Sequence, residues 1–311
     1  MERIKMQKRK EITIREAAEQ FVIYKTARGV KEVTARNYKL HFHSMSKFLD
    51  MDQPLSVLTQ DALDAFVVRM RESGLAHNSV CSYLRVFCSF LKWCNEKGFT
   101  SVTMKNIKQE ETVKETYTDE ELAALLKRPD ASCTFCRFRS WVIVSFLMDT
   151  GCRAATVRNI RNSDVSLDSS QIIFRHTKNG KLQSIPISSR MIVILREYMS
   201  IRGGDGSDYL FCDEYGRMLT ENGLRKAIIY YNKSCGVQKT SVHLFRHTFA
   251  RKYLLDCGGN AFTLQKLLGH STLKMTKHYC AIYDADIARD YDHFSPLALM
   301  QKPKERLSKQ K

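Results

Sequence analysis

Residues 241–250 read Ser-Val-His-Leu-Phe-Arg-His-Thr-Phe-Ala. Val242, Phe245 and Phe249 recur at helical spacing, and the pattern carries on to Cys257, which predicts a helix over 242–257. On it His243 and Arg246 stand three positions apart, so both side chains leave one face, a turn from each other. Two such groups can reach one phosphate, while the neighbouring stripe of Val242, Phe245 and Phe249 suits a core. By itself a His-x-x-Arg pair is more often a solvated helix face, and its meaning depends on what surrounds it.

The surroundings mix helix and strand. Ser140–Met148 is apolar and predicts a buried helix, and Arg190–Met199, Thr220–Cys235 and Phe262–Leu268 carry helical spacing. Gln171–Arg175 and Gln183–Ile187 alternate on either side of Lys178-Asn179-Gly180-Lys181, which predicts a hairpin. Thr118-x-x-Glu121 is a capping box that opens this unit, and the polar, aperiodic stretch 100–116 ahead of it reads as a linker. Further upstream, Thr13-x-x-Glu16 is a second capping box, with Ala17, Phe21 and Tyr24 behind it in a helix running to Arg28-Gly29. Thr34–Leu49 places Tyr38, Phe42, Met45 and Leu49 on one stripe, with His41, His43 and Lys47 off it. A third helix spans Thr59–Arg71, and a fourth follows Asn78 as N-cap, with Val80, Leu84, Phe87, Leu91 and Cys94 as its seam. The expected organisation is a helical domain over 11–99, the linker, a mainly helical domain with a small β-sheet over 117–293, and a basic tail over 294–311.

At 311 residues the chain exceeds what one core usually fills, and its 43% hydrophobic and 27% charged residues are ordinary for a folded soluble protein. The net charge of +17 favours a polyanion as partner. The first ten and last eleven residues supply +8 of it, so the basic character belongs to the interior as well. No stretch is long and apolar enough to span a bilayer and no secretory signal is evident, which places the expected protein in the cytoplasm, away from membranes. Of the ten cysteines, Cys81, Cys88 and Cys94 sit in apolar helical patterns, and the pair Cys133 and Cys136 lacks a second pair or a spaced histidine to complete a zinc site.

Arg153 in Thr150-Gly151-Cys152-Arg153, Lys178 at the hairpin, His243-x-x-Arg246, Gly269-His270 and Tyr279 stand in this order, with His270 and Tyr279 nine positions apart. Together they resemble the tyrosine recombinase, or phage-integrase-like, family over roughly 11–283. The resemblance implies a two-domain clamp on double-stranded DNA, made of a helical core-binding domain and a tyrosine-recombinase catalytic domain. It implies Tyr279 as nucleophile, because Tyr283 and Tyr291 do not stand nine residues beyond Gly-His, and Lys178 as the catalytic lysine in preference to Lys181. It also implies that His270 hydrogen-bonds the phosphate and that Arg153 and Arg246 form the arginine pair. His247 matches the family's Arg-His-Thr-Phe-Ala run and is read as support behind the site. One departure stands out: many members carry an acid three positions after the first arginine to buttress it, and here Thr156 occupies that place.

The residue chemistry fits that assignment. Breaking a phosphodiester builds charge on non-bridging oxygens, which two permanently charged guanidinium forks can neutralise. A tyrosine hydroxyl, with a reference pKa of about 10, needs help in losing its proton, and His243 is the favoured helper. Lys178 is placed to protonate the leaving 5′-oxygen. The bond energy is kept in the protein–DNA link, so neither ATP nor metal nor any other cofactor is implied. The family resemblance adds a homotetramer on two DNA sites, with the segment after Tyr283, including a short helix over Asp284–Asp292, docked on a neighbour, and it leaves room for accessory DNA-bending or directionality factors. Two other readings stay open at this level: a type IB topoisomerase-like enzyme, and a DNA-binding protein without chemistry.

Overall fold

The computed structural model describes residues 11–110, 115–175, 180, 182–272 and 276. The chain divides into two compact units, Met1–Val113 and Lys114–Lys311. No described helix is long and apolar enough to cross a membrane.

The described part of the first unit is helical. Helix α1 (Ile14–Ala27) starts from the expected capping box, in which Thr13 and Glu16 satisfy each other's backbone N–H, and Gly29 leaves it at a positive φ of 79°. Helix α2 (Glu32–Met45) begins two residues ahead of Thr34 and stops before Leu49; the Ser46 hydroxyl donates to His43 O just past its end, and Leu49 packs on the core from the following turn. Helix α3 (Gln60–Glu72) is capped by Thr59. Helix α4 (His77–Glu96) corrects the reading of Asn78 as N-cap: the cap is Ala76, which makes no side-chain bond, and the Asn78 amide instead donates to Glu110 O. All five predicted seam residues of α4 are buried. The core is aromatic. The Phe21 ring lies 6.2 Å from Phe42, 5.8 Å from Phe90 and 5.8 Å from Trp93, two of these edge-on like the third. Residues 101–110 have no regular structure, yet Val102, Met104 and Ile107 pack against this core and Lys108 O bonds the His77 ring.

In the second unit, α5 (Asp119–Leu126) follows the Thr118–Glu121 capping box, and α6 (Phe135–Thr150) is buried on nearly every side, as its continuous apolar run predicts. A six-residue helix, α7 (Ala154–Asn159), and a two-residue strand, β1 (Val165–Ser166), are too short to show a period in sequence and went unpredicted. The expected hairpin is present as β2 (Gln171–Phe174) and β3 (Gln183–Pro186), which complete an antiparallel sheet in the order β1-β2-β3. Its last described pair is Phe174 with Gln183. Helices α8 (Ser189–Arg202), α9 (Glu221–Ser234), α10 (Val242–Leu255) and α11 (Ala261–Leu268) follow. Phe146, Leu147, Ile172, Leu195, Phe211, Ile228 and Phe245 belong to one core that joins the sheet to α6, α8, α9 and α10. Tyr117 ties the start of the unit to α10: its N–H donates to Thr248 Oγ1, and its ring lies 4.5 Å from that of Phe245. Cys133 packs against the core, and both Cys133 and Cys136 are free thiols.

Replacing Phe21 by Ala leaves a cavity that four aromatic neighbours cannot easily fill. The expected loss is about 3–5 kcal/mol of stability, measured by urea unfolding followed by fluorescence.

Candidate active site

The site is assembled around the end of one short helix. The last carbonyls of an α-helix have no N–H partner within it. At α11, Gly269 turns into the left-handed region (φ 61°) and its N–H returns to Gln265 O and Lys266 O, while the His270 N–H also reaches Gln265 O at 3.0 Å. Leu268 O then accepts from Arg246 Nη2 at 2.9 Å and from Arg153 Nη1 at 3.4 Å. The two arginines predicted as a pair, 93 positions apart in the chain, thus converge on one backbone oxygen.

Arg246 is only 5% exposed and is held by a second carbonyl, Gly151 O, at 3.0 Å. Gly151 closes α6 at φ 59°, and a Cβ placed there would come within 2.2 Å of the Phe249 ring, so both the backbone turn and the close approach of α10 require glycine. Arg153 precedes α7 in extended conformation and is half-buried. Thr156, where an acid was expected, is buried and donates its backbone N–H to Arg153 O in the first turn of α7. The carbonyl of Leu268 is one contact of the Arg153 guanidinium.

His270 completes the group. Its Nε2 lies 2.8 Å from Arg246 Nη2, and its Nδ1 lies 2.9 Å from Thr276 Oγ1. A guanidinium nitrogen can only donate, so Nε2 is the unprotonated acceptor, and Nδ1 carries the hydrogen that goes to Thr276. Burial first, then the charges of Arg246 and Arg153, hold the ring's pKa down at about 4. The imidazole is therefore neutral at physiological pH.

His243 and Arg246 share a face of α10, as their spacing requires, but not an environment: His243 is exposed and Arg246 is buried. Arg246 is buried because α10 packs against both α6 and α11, which also cover Phe245, Thr248 and Ala250. His247 is half-buried on the same helix, rotated by about 100° from Arg246. Lys178, Lys181, Tyr279, Tyr283 and Tyr291 lie outside the described residues, as does the tail helix expected over 284–292. Cys152, next to Arg153, is buried, and burial pushes its thiol up to about 11, so it is not poised as a nucleophile. Among the described residues no group of three His, Cys, Asp or Glu could hold a metal ion.

Sequence reasoning missed the acceptors that organise the arginines, Gly151 O and Leu268 O, because every residue has a carbonyl and none is marked in the chain. It also missed Thr276 and Gln183, whose side-chain amide donates to Leu267 O at 2.9 Å and to Lys266 O at 2.5 Å.

A helical unit followed by a helical unit with a small sheet, its arginine pair gathered at a Gly-His turn, defines a class that the known proteins identify. Residues 115–286, more than half of the chain, match the model of the phage integrase family. The chain belongs to that family, the tyrosine-type site-specific DNA recombinases. Tyrosine recombinase XerA of Pyrococcus horikoshii is 28% identical over 282 residues, covering 89% of this chain and 93% of that protein. Among solved structures, the Tn1549 transposon integrase in complex with a circular intermediate DNA shares the fold at TM-score 0.73 and 17% identity, over 92% of this chain and 100% of that one. A lambda integrase tetramer bound to a Holliday junction does so at TM-score 0.68 and 19% identity, over 84% and 78%.

The low pKa of His270 gives a stability that depends on pH. The ring titrates at about 4 when folded, against about 6.5 in an unfolded chain, so the unfolded state takes the proton first as pH falls. The stability carried by the neutral ring is complete above about pH 6.5 and is lost as pH falls toward 4. Urea unfolding at a series of pH values should show a shallower dependence in this window for His270→Gln than for the unaltered protein. Equal slopes would remove His270 from the pH dependence.

Proposed function

We propose that this recombinase cuts and rejoins double-stranded DNA through a 3′-phosphotyrosine intermediate on Tyr279. The observation that carries the reading is the convergence of Arg153 and Arg246 on Leu268 O beside His270, nine residues ahead of Tyr279. The Tyr279 oxygen attacks the scissile phosphorus and gives up its proton with help from His243. As that bond forms, the bond from phosphorus to the 5′-oxygen breaks, and Lys178 supplies the proton that makes the 5′-hydroxyl. Arg153 and Arg246 neutralise the charge that grows on the non-bridging oxygens, and His270 adds a hydrogen bond there. The 5′-hydroxyl of a partner strand then attacks the phosphotyrosine and releases Tyr279, so no energy source is consumed.

In the same proposal the helical core-binding domain and the catalytic domain close on the duplex as a clamp, and their lysines and arginines track the phosphates. Four subunits act on two sites, as four do in the lambda integrase assembly on a Holliday junction, with the segment after Tyr283 docked on the next subunit. The protein works in the cytoplasm, with a mobile element as its natural setting and accessory DNA-bending or directionality factors as possible partners.

Two measurements test the chemistry. Tyr279→Phe should abolish covalent trapping on a nicked suicide substrate while DNA binding stays nearly unchanged, because one hydroxyl is removed from a broad basic surface; an adduct that persists, or maps to Tyr283, overturns the assignment. Lys178→Ala should slow cleavage by about 100-fold or more at an ordinary 5′-oxygen, and far less where that atom is sulfur, since a thiolate leaves without a proton. Relaxation of supercoils with no strand exchange would point to a topoisomerase-like enzyme instead.

A further inference from the structure

The hairpin between β2 and β3 carries Lys178 in its connection, and the arginine pair belongs to α10 and the start of α7. Those elements act on one phosphate only if something fixes the hairpin relative to the arginines. The ladder ends at Phe174 and Gln183, so these two residues form the base of the connection. On the β2 side, Phe174 is buried against Phe146, and the next residue, Arg175, pairs through Nε with Asp164 Oδ1, a carboxylate buried in the unit. Those tethers fasten β2 to α6 and to Asp164.

On the β3 side the tether leads to the site. The amide nitrogen of Gln183 has two hydrogens, and Lys266 O and Leu267 O lie at 2.5 and 2.9 Å from it. They are the two carbonyls just ahead of Leu268 O, the oxygen shared by Arg153 and Arg246. Both neighbours are acceptors, so the amide can face them only through nitrogen, and its orientation is forced. Gly269 makes room for it, since a Cβ there would stand 2.7 Å from Gln183 Oε1.

We infer that Gln183 is a positioning residue, which locks the base of the Lys178 hairpin onto the carbonyl end of α11 so that the lysine and the arginine pair address the same phosphate. This rests on the reading of Lys178 as the general acid. Without Gln183, Arg246 keeps Gly151 O and Leu268 O, so the damage falls on proton delivery and spares charge neutralisation.

The test is single-turnover cleavage by the full chain on suicide substrates whose scissile 5′ atom is oxygen or sulfur. Gln183→Leu, which keeps the bulk and removes the donors, should lose about tenfold or more with oxygen but less than about threefold with sulfur, with DNA affinity unchanged. Gln183→Arg, which restores donors toward the two carbonyls, should recover most of the rate with oxygen. A residue that merely stabilised the fold would lower both rates alike. Equal losses on the two substrates, or no loss with oxygen, overturn the inference. Lys178→Ala measured alongside separates the causes: if sulfur rescues it but not Gln183→Leu, only the positioning role fails, and if sulfur does not rescue it, the general-acid reading beneath fails as well.

Discussion

The last turn of α11 ends in carbonyl oxygens outside the regular helix ladder, and Gln183, Arg246 and Arg153 attach to them, Lys266 O being shared with the Gly269 N–H. Gln183 takes two of them and the arginine pair takes the third. A helix C-terminus carries partial negative charge, so a guanidinium there gains both hydrogen bonds and a favourable dipole, on the order of 0.3–1 kcal/mol for the latter and more when buried. This is how Arg246 can be 5% exposed without a severe penalty. The contrast with a carboxylate buttress is chemical. Leu268 O, Gly151 O and the neutral His270 ring hold the Arg246 guanidinium through uncharged groups.

The same helix end makes the rest of the second unit answerable to the site. Arg246 reaches Gly151 O because α10 lies close to α6, and that approach runs past Gly151, where any side chain would strike Phe249. One turn of α10 therefore does two jobs: Phe245 enters the core while Arg246 leaves it toward α11. Tyr117 packs its ring against Phe245 and bonds Thr248, so the first described residues of the unit are fastened to the helix that carries the buried arginine.

Long, periodic elements were legible in the sequence. The α4 seam, the two capping boxes, the continuous apolar run of α6 and the hairpin strands all stand where spacing put them. What spacing could not give was short or non-periodic. Helix α7 and strand β1 are too short to establish a period, and α4 is capped two positions early, at Ala76, while Asn78 serves Glu110 O rather than the helix end. At the site, the residue types Arg153, His243, Arg246 and His270 could be named from their order, and the spacing of His243 to Arg246 correctly gave a shared face. It could not tell that one of the two would be buried and the other exposed, because burial is decided by the packing of α10 against α6 and α11, which its own periodicity does not encode. Nor could it find Gly151 O, Leu268 O or Gln183, whose roles come from three segments meeting.

The tautomer of His270 sets a condition on how the site changes when a phosphate arrives. A neutral imidazole donates one hydrogen bond, and here Nδ1–H spends it on Thr276 while Nε2 accepts from Arg246. In that state the ring has nothing to donate to an oxygen anion. To hydrogen-bond a phosphate through Nε2 it must carry a proton there; burial opposes a charged ring most, and the arginine charges, which a phosphate would neutralise, oppose it next. An anion drawing Arg246 Nη2 toward itself also frees the Nε2 lone pair. Phosphate binding and His270 protonation are then linked in sign, each favouring the other. Under the proposed function, the pair Arg246–His270 would keep the ring neutral and the guanidinium oriented before DNA arrives and would offer two donors once a phosphate has bound.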